Sequence, residues 1–425
     1  MKIRVKKKSW REVSALPPPK HKNPKVSSPL LRFLMKALGR SDLKQTGFGY
    51  RFEGIEKIPE EPCLILMNHS AFIDLEIVSS LLYPSPFAIV CTSDGFVGKE
   101  GLMRRLGCIP TDKFVPDARL IRDVSFALKK NRTHVLMYPE ASYSFDGRAT
   151  PLPEKLGSAI KLWGVPVIMI KTEGAFLRDP LYNMLQKRKV KVSAKIYSLV
   201  SKDELSSVTP EEIDSRLAAA FDFDNFADQR RLGIKIDEPF RADGIERILY
   251  RCPHCGSEGR IRGSGISFGC SACGASYELD EYGRLIRKDG DADFGSVPEW
   301  YAWERDEVRR ELESGDYSLS CPVKILVLRD YRAVYDIGQG RLSHTGEGFR
   351  LVSDDGALDY SQSSLFSYSL YSDFFWYEIG DMICIGRGGF LYYCFPDEGI
   401  PVAKARLAAE EAYKLRRAET RSMKK

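Results

Sequence analysis

Short apolar runs alternate with helical patterns between residues 48 and 240. Runs of this kind are typical of strands buried on both faces of a sheet, and they cover residues 63–68, 87–91, 134–139 and 165–170. The stretches between them predict helices over residues 72–83, 98–107, 117–130 and 154–163. An alternating pattern over residues 190–200 predicts one more strand, at an edge of the sheet. This order predicts an α/β domain over residues 45–240, with a mixed, largely parallel sheet and flanking helices.

A β-rich pattern follows in residues 298–425. A helix is predicted over residues 300–312, and six or seven strand-like pieces lie between residues 322 and 395, among them "SLFSYSL" (364–370). Gly and Asp turns separate these pieces, and an alanine-rich helix closes the chain over residues 400–420. Strands followed by one terminal helix predict a small β-barrel-like domain, and this element order resembles that of a pleckstrin-homology domain.

The first 44 residues are set apart by their charge. Residues 1–28 read as a basic arm interrupted by prolines, and residues 1–30 carry nine Lys or Arg and one acid, a local charge of +8 that leaves −2 for the rest of the chain. Such an arm favours anionic partners, although a solvated disordered tail has the same composition. Residues 29–44 predict a short amphipathic helix with a basic stripe at Arg32, Lys36 and Arg40. This helix is suited to facing a membrane interface, or it packs on the neighbouring domain.

The apolar runs and the scattered cysteines indicate the cellular compartment of the protein. No apolar run approaches the roughly 20 residues that a helix needs to cross a bilayer, and the N-terminus lacks the pattern of a secretory signal. Six of the ten cysteines occur singly, several of them within apolar stretches, and are expected to be buried, reduced thiols. We therefore expect a cytoplasmic protein.

The other four cysteines form two CxxC pairs with fourteen residues between them: Cys252, Cys255, Cys270 and Cys273. A glycine follows each pair and eases the turn around a metal. Thiolates at this spacing suit tetrahedral zinc, which predicts a zinc ribbon over residues 245–285. Because four thiolates leave no open coordination position, the zinc is expected to be structural. His254, inside the first pair, is not expected to bind it.

A histidine and an aspartate five positions apart follow the first predicted strand. His69 then lies at the carboxyl end of that strand, where open α/β sheets place their ligand sites. Asp74, about one turn into the next helix, can return to the imidazole ring, fix its tautomer through Nδ1 and leave Nε2 free as a base. A histidine pKa near 6.5, raised by this carboxylate, suits proton removal from an alcohol. The alternative is a polar pair that only caps the helix.

Two further polar stretches are expected at the same end of the sheet. "GCIPTDK" brings Lys113 to the end of a short apolar segment, and "YPEASYSFDG" (138–147) ends another predicted strand with an acid and several hydroxyls. Three such loops predict one cleft that contains a base, an anion-binding lysine and hydrogen-bonding hydroxyls.

In their order these segments resemble the 1-acyl-glycerol-3-phosphate acyltransferase (glycerolipid acyltransferase) superfamily, over roughly residues 45–200. "NHSAFID" is similar to its catalytic block, and "GCIPTDK", "YPEASYSFDG" and "GVPVIMI" are similar to its second, third and fourth blocks. The resemblance implies acyl transfer from a thioester, carried by acyl-carrier protein or coenzyme A, to the free hydroxyl of a lysophospholipid. By this likeness His69 is the general base, Asp74 orients it, and donors near the helix start stabilise the oxyanion.

The third block departs from the family pattern of glutamate, glycine, threonine and arginine. This chain has Glu140, Ala141, Ser142 and Tyr143 there, so the arginine that would hold the acceptor's phosphate is missing. Lys113 also stands where the second block commonly has arginine, and lysine supplies a charge without a bidentate fork. The residues expected to bind the substrate, lysophosphatidate or a related acceptor, are Lys113, Glu140, Ser142 and Tyr143.

Two other functions fit parts of the sequence. The missing arginine suits a non-catalytic adaptor that holds lipid or a partner on an acyltransferase-like scaffold, whereas the intact His69–Asp74 pair argues against it. A zinc ribbon and a basic arm can bind nucleic acid, but Arg260 and Arg262 are too few for a convincing basic face. The favoured interpretation is an acyltransferase of phospholipid synthesis. It is expected at the anionic inner face of the cell membrane, held peripherally by the arm and the helix over 29–44.

Overall fold

The computed structural model describes residues 2–288 and 290–422. Its N-terminal segment contains strand β1 (Val5–Lys7), helix α1 (Trp10–Ser14) and helix α2 (Pro29–Gln45). Ser9 begins α1 with a reciprocal cap, in which its hydroxyl accepts the backbone N–H of Glu12 and its own N–H donates to the Glu12 carboxylate. Local sequence signals therefore give regular structure to part of the basic arm.

A seven-stranded sheet forms the centre of the α/β domain. Its strands are β2 (Gly49–Glu53), β3 (Leu64–Met67), β4 (Phe87–Thr92), β5 (Cys108–Thr111), β6 (His134–Met137), β7 (Val167–Glu173) and β8 (Ser193–Val200). They lie in the order β2-β8-β7-β3-β6-β4-β5, and only β7 and β8 are antiparallel neighbours. The sheet is mixed and largely parallel, as predicted. The edge position predicted for β8 is wrong, because β2 pairs with its outer side.

Helices cover both faces of this sheet. They are α3 (Ile73–Leu82), α4 (Glu100–Arg105), α5 (Ala118–Lys129), α6 (Leu156–Trp163), α7 (Ala175–Arg178), α8 (Pro210–Ala220) and α9 (Asn225–Leu232). Successive residues of β3 point to opposite layers: Leu64 shares a core cluster with Trp163, and Ile65 shares another with Ile77. Burial on both faces is why the central strands read as continuous apolar runs.

Helix α2 lies along α3 and has two different sides. Its Gly39 approaches α3 so closely that a Cβ there would lie 2.9 Å from the Cβ of Glu76, and Leu43 is buried. Four large apolar side chains remain exposed on α2: Leu30, Phe33, Leu34 and Leu38. The helix thus packs on the neighbouring domain and also presents an apolar surface. Within residues 2–288 and 290–422, no helix is both long and apolar enough to cross a bilayer.

The cysteine-rich segment folds into a four-stranded antiparallel sheet. Its strands are β9 (Ile261–Ser264), β10 (Ser267–Cys270), β11 (Ser276–Leu279) and β12 (Leu285–Arg287), in the order β12-β11-β10-β9. Helix α10 (Val297–Ser314) follows. Its Trp300 is fully buried and lies 5.0 Å from Tyr277 and 5.8 Å from Phe268 between ring centroids. This aromatic cluster joins the small sheet to the core of the domain that follows.

The C-terminal domain contains a larger sheet and a closing helix. Its elements are β13 (Ser318–Leu328), β14 (Val334–Thr345), β15 (Gly348–Ser353), β16 (Asp359–Ser363), β17 (Tyr371–Trp376), β18 (Gly380–Arg387), β19 (Phe390–Pro396) and α11 (Val402–Ser422). The order is β16-β15-β14-β13-β19-β18-β17, and all of these neighbours are antiparallel. The β-rich domain with a terminal helix is present, and its likeness to a pleckstrin-homology domain stays a prediction.

The basic arm is part of this C-terminal sheet. β1 pairs in parallel with β14, with Val5 opposite Val334. Trp10 of α1 packs against Phe390 and Tyr392, at centroid distances of 5.5 and 5.8 Å. Strand pairing and aromatic packing hold residues 5–14 in place, so the disordered-tail alternative is wrong for this segment.

The strand predicted at residues 364–370 is also wrong. Residues 364–366 form a single 3-10 turn, in which the Ser363 hydroxyl accepts the backbone N–H of Leu365. Serine side chains compete with strand ladders for backbone donors in this way. The strand instead precedes the turn, as β16.

Candidate active site

His69 and Asp74 are in contact at the carboxyl end of β3. His69 Nδ1 lies 3.1 Å from Asp74 Oδ2, and the same oxygen accepts the backbone N–H groups of Ser70 at 2.8 Å and Ala71 at 3.1 Å. Asp74 is fully buried in the first turn of α3. Residues 69–74 therefore wrap around one carboxylate oxygen. This fixes the imidazole through Nδ1, and His69 Nε2 has no hydrogen-bond partner among the described residues.

The same geometry corrects two expectations about the chemistry. The N–H groups of Ser70 and Ala71 are bonded to Asp74, so these two donors at the helix start are not available to an oxyanion. Burial lowers the pKa of His69 below its usual value, and this outweighs the contact with Asp74, which raises it. The sequence had suggested a raised pKa. A lowered pKa keeps His69 neutral at pH 7, which is the state that a general base requires.

Two tyrosines enclose the His69 ring. Tyr138 stacks on it at 3.9 Å between centroids, and Tyr143 lies at 4.3 Å. Tyr143 occupies the motif position at which arginine is missing, so this position supplies an aromatic contact with the base instead of a cation. Burial and the nearby Asp74 carboxylate raise the pKa of both hydroxyls, which therefore stay protonated at neutral pH.

The Glu140 carboxylate accepts hydrogen bonds from the backbone of the His69 loop and of Thr150. Its Oε2 accepts the backbone N–H of His69 at 2.9 Å, and its Oε1 accepts that of Thr150 at 3.0 Å. The side chain is fully buried, and burial raises its pKa to about 7. The prediction that Glu140 contacts the substrate needs correction, because both of its oxygens are occupied by backbone donors and it is not part of the cavity wall.

Ser142 contacts an arginine from the far end of the chain. Arg406 of α11 donates from Nη2 to the Ser142 hydroxyl at 3.0 Å, and its guanidinium lies 4.3 Å from the Phe145 ring centroid. Arg406 is 2% exposed and pairs with Glu410 at 3.2 Å. An arginine therefore does approach the third block, but it comes from the C-terminal helix. With 264 positions between the two residues, no local pattern could indicate this contact.

A cavity of about 1200 Å³ lies beside His69. The α/β domain lines it with His69, Lys113, Ser142 and Tyr143, and so the predicted cleft brings together four of the proposed site residues. The C-terminal domain forms another part of the wall, through Tyr368, Tyr371, Asp373, Trp376 and Tyr413. This contribution was not predicted from the sequence. The volume exceeds the roughly 300–1,000 Å³ of ordinary small-molecule pockets, and it suits a long substrate.

Asp94 joins the two parts of the wall. Its Oδ2 accepts hydrogen bonds from the Tyr371 hydroxyl at 2.9 Å, the Trp376 indole N–H at 3.2 Å and the Tyr393 hydroxyl at 3.3 Å. Nearby, Lys113 Nζ lies 4.2 Å from the centroid of the Tyr371 ring. One acidic residue of the α/β domain thus receives three donors from the C-terminal sheet, which fixes the aromatic wall over the cavity.

The four predicted metal ligands converge at the start of the small sheet. The sulfur atoms of Cys252, Cys255, Cys270 and Cys273 all lie within 4.8 Å of one another, at 3.7 Å for Cys252–Cys273 and 3.8 Å for Cys255–Cys270. Four sulfurs at about 2.3 Å from a tetrahedral zinc are about 3.8 Å apart. Gly256 and Gly274, which follow the pairs, have φ of +71° and +81°, a turn that favours glycine. The residues present therefore fit a zinc ion.

Comparison with known proteins assigns the first domain. A family model described as Acyltransferase matches residues 49–171, a range that contains the His69–Asp74 pair, Lys113 and the loop after β6. These residues belong to the 1-acyl-glycerol-3-phosphate acyltransferase superfamily. A chloroplastic 1-acyl-sn-glycerol-3-phosphate acyltransferase of Brassica napus is 26% identical over 134 residues, 29% of this chain and 36% of the relative. The chain thus matches about a third of the length of that curated relative.

One solved structure is similar to part of this chain. It is the crystal structure of the 1-acyl-sn-glycerophosphate (LPA) acyltransferase PlsC from Thermotoga maritima, with 17% identity and a TM-score of 0.34, over 44% of this chain and 80% of that chain. The family model and the curated relative, together with the four sequence blocks, are what assign the acyltransferase domain.

Proposed function

We propose that the protein transfers a fatty acyl group from an acyl thioester to the free hydroxyl of a lysophospholipid, lysophosphatidate or a related acceptor, in phospholipid synthesis. The observation that carries the proposal is the buried Asp74 carboxylate against His69 Nδ1, with the imidazole in the wall of a cavity large enough for a lipid. A helix cap alone does not require a histidine between two tyrosines at the edge of a large cavity.

In this mechanism the acceptor hydroxyl donates its proton to Nε2 of neutral His69 as its oxygen attacks the thioester carbonyl carbon. Asp74 stabilises the imidazolium that forms. The tetrahedral oxyanion then collapses, the carbon–sulfur bond breaks, and the imidazolium returns the proton to the leaving thiolate. No covalent enzyme intermediate is required. Burial raises the pKa of Cys63, the nearest cysteine in sequence, to about 12, so that thiol is not a competing nucleophile.

Acyl-carrier protein and coenzyme A both fit the proposal as donors, because both present the acyl group as a thioester. Lys113 would contact an anionic part of the substrate, and Ser142 and Tyr143 would shape the cavity beside it. The four cysteines would hold a structural zinc, whose contribution is to folding.

The exposed side of α2 suits attachment to a membrane. Leu30 and Leu38 are 65% and 78% exposed, and contiguous apolar surface of this kind marks an interaction site. The basic residues of the helix and of the arm would add attraction to anionic lipids. We propose that the protein is cytoplasmic and binds peripherally to the inner face of the cell membrane, which supplies the lipid acceptor.

The test is detection of the acylated product by mass spectrometry. Purified protein receives acyl-carrier-protein or coenzyme A thioesters together with a panel of lysolipids. We expect product from the wild type and none from His69→Ala. The matched control is His21→Ala, because His21 also contacts an aspartate, at 2.8 Å from Asp123, but lies outside the cavity. Turnover by His69→Ala would contradict the proposed base. No product from folded wild type with any pair would favour the adaptor.

A further inference from the structure

Two charged side chains in the cavity wall, Lys113 and Asp373, have no ion-pair partner among the described residues. Five carboxylates and two lysines line the cavity. Within the described part of the chain, Lys113 has no carboxylate within ion-pair distance, and its ammonium lies instead against the Tyr371 ring. Asp373 lies two positions after Tyr371 on the same strand, so both side chains face the cavity. Among the described residues, the hydrogen-bond donor to its carboxylate is the neighbouring backbone N–H of Phe374, at 2.9 Å.

Asp94 adds a second incompletely bonded carboxylate to the same wall. The residue is 1% exposed, and it lines the cavity although its Oδ2 is held by Tyr371, Trp376 and Tyr393. Its Oδ1 is buried and has no partner with hydrogen-bond geometry. The hydroxyl of Tyr377 lies close by, and burial and the Asp94 charge raise the pKa of that hydroxyl. Buried charge is costly unless it is paired, so this carboxylate favours a cationic partner in the cavity.

The aromatic rings beside these carboxylates suit the same partner. Tyr377 meets Trp376 edge-on at 4.7 Å between centroids, and Tyr371 and Trp376 both line the cavity. Ammonium groups bind to the faces of Trp and Tyr rings within about 6 Å, and the contact strengthens when water is excluded. The carboxylates and the aromatic rings together can bind an ammonium group. Lys113 can bind an anion beside it.

We propose that the acceptor has a zwitterionic headgroup, with its anionic group at Lys113 and its ammonium group at Asp373 and Asp94. This inference rests on the proposed acyltransferase function and specifies its substrate class. A phosphate monoester with two negative charges and no amine would leave the Asp373 and Asp94 carboxylates in the wall without a cation. It would also lack the arginine of the third block, because that position is Tyr143. A zwitterionic headgroup can pair its anionic group with Lys113 and its ammonium group with the two carboxylates at the same time.

The titration of Asp373 agrees with this arrangement. Burial raises its pKa to about 6, although Lys113 opposes the shift. An ammonium group beside the carboxylate would favour its charged form and lower that pKa again.

The test compares three acceptors with the same acyl chain and the same donor. Lysophosphatidylethanolamine is the zwitterionic probe, lysophosphatidylglycerol carries the anion without an amine, and lysophosphatidate is the phosphate monoester. One charge-assisted contact corresponds to about a tenfold difference. We expect kcat/KM of the wild type to be at least about tenfold higher for the zwitterion than for either anionic acceptor. Equal values, or a preference for lysophosphatidate, would overturn the inference and leave the acyltransferase function intact.

Asp373→Asn distinguishes a change in headgroup recognition from a general loss of folding or activity. It should lower kcat/KM for lysophosphatidylethanolamine about tenfold and raise it for lysophosphatidate, because a repulsive charge is removed. The matched control is Asp359→Asn, which changes a half-exposed aspartate of the same domain, paired with Arg350 outside the cavity. An unchanged preference in folded Asp373→Asn would overturn the inference. If Asp373→Asn does not fold, the wild-type panel decides.

Binding of the three lysolipids, measured by calorimetry in the absence of donor, distinguishes the two proposals. Tighter binding of the zwitterion without turnover of any acceptor would support the headgroup preference and contradict the acyltransferase function. Turnover of all three acceptors at equal rates, with equal binding, would support the acyltransferase function and contradict the headgroup preference.

Discussion

Replacing Asp74 with asparagine isolates the role of its charge, because the side chain keeps its shape. The amide oxygen can accept the same three N–H groups, now at 2.8 to 3.1 Å. Hydrogen bonds to a charged group contribute about 1.5–3 kcal/mol each, and neutral ones about 0.5–1.5 kcal/mol. Three weakened bonds therefore lower the free energy of unfolding by about 3–4.5 kcal/mol, and the easier burial of a neutral amide offsets part of this loss.

The effect on catalysis follows from the charge that develops on His69. His69 becomes positively charged in the transition state, and two charges about 4 Å apart interact by about 4 kcal/mol at an effective dielectric constant near 20. Because the His69 side chain is 21% exposed, solvent reduces this value, and kcat should fall by about 10²–10³-fold. Asp74 raises the pKa of His69 against the effect of burial. Its removal should therefore move the acidic limb of the kcat/KM profile to lower pH.

The assay follows release of the free thiol from the acyl thioester over a pH series, together with thermal unfolding of each variant. Asp123→Asn is the matched control, since it makes the same change in the other described aspartate–histidine pair. A folded Asp74→Asn protein with kcat within about threefold of the wild type would refute the assigned role. So would a fall in kcat that leaves the acidic limb in place, because the carboxylate would then act only on the fold.

Two further perturbations address the metal site and the membrane surface. Cys252→Ser should lose bound zinc and unfold at a lower temperature, because three thiolates hold the ion less tightly, and unchanged zinc content by elemental analysis would contradict the ribbon. Changing Leu34 and Leu38 together to glutamine should weaken binding to sedimented anionic liposomes by at least about 30-fold, since each buried leucine contributes about 1 kcal/mol or more. Leu162→Gln, on a similarly exposed leucine of α6, is the control, and equal binding by the double variant would exclude α2 as the anchor.

The central strands and the cysteine cluster could be predicted because their signals are local. β3 and β6 are buried at every position, and burial on both faces leaves a continuous apolar run in the sequence. The order of strands and helices then places His69 and Lys113 at one edge of the sheet. The spacing of the two CxxC pairs is enough to predict that their four sulfur atoms lie close together, and they do.

The parts that could not be predicted depend on contacts between distant segments. β8 alternates like an edge strand, yet β2, more than 140 residues earlier, covers its outer side. Glu140 has the sequence context of a substrate ligand, but its carboxylate is taken by backbone N–H groups that only the fold brings together. The lowered pKa of His69 likewise depends on burial by two tyrosines and the surrounding wall. Neither the spacing of residues in the sequence nor the composition indicates such contacts.

The structure joins the acyltransferase domain and the β-rich domain into one unit around the cavity. One oxygen of the buried Asp94 carboxylate accepts three donors of the C-terminal sheet, and Arg406 of the last helix holds Ser142 in the third block. Residues 5–14 in turn pack on the same sheet. Without that sheet, Asp94 would lose all three donors, and the cavity would lose its aromatic wall. The departure from the family motif at Tyr143 is therefore understood best together with the domain that supplies Tyr371, Asp373 and Trp376. In this chain, residues outside the acyltransferase domain line the part of the cavity where the acceptor's headgroup is proposed to bind.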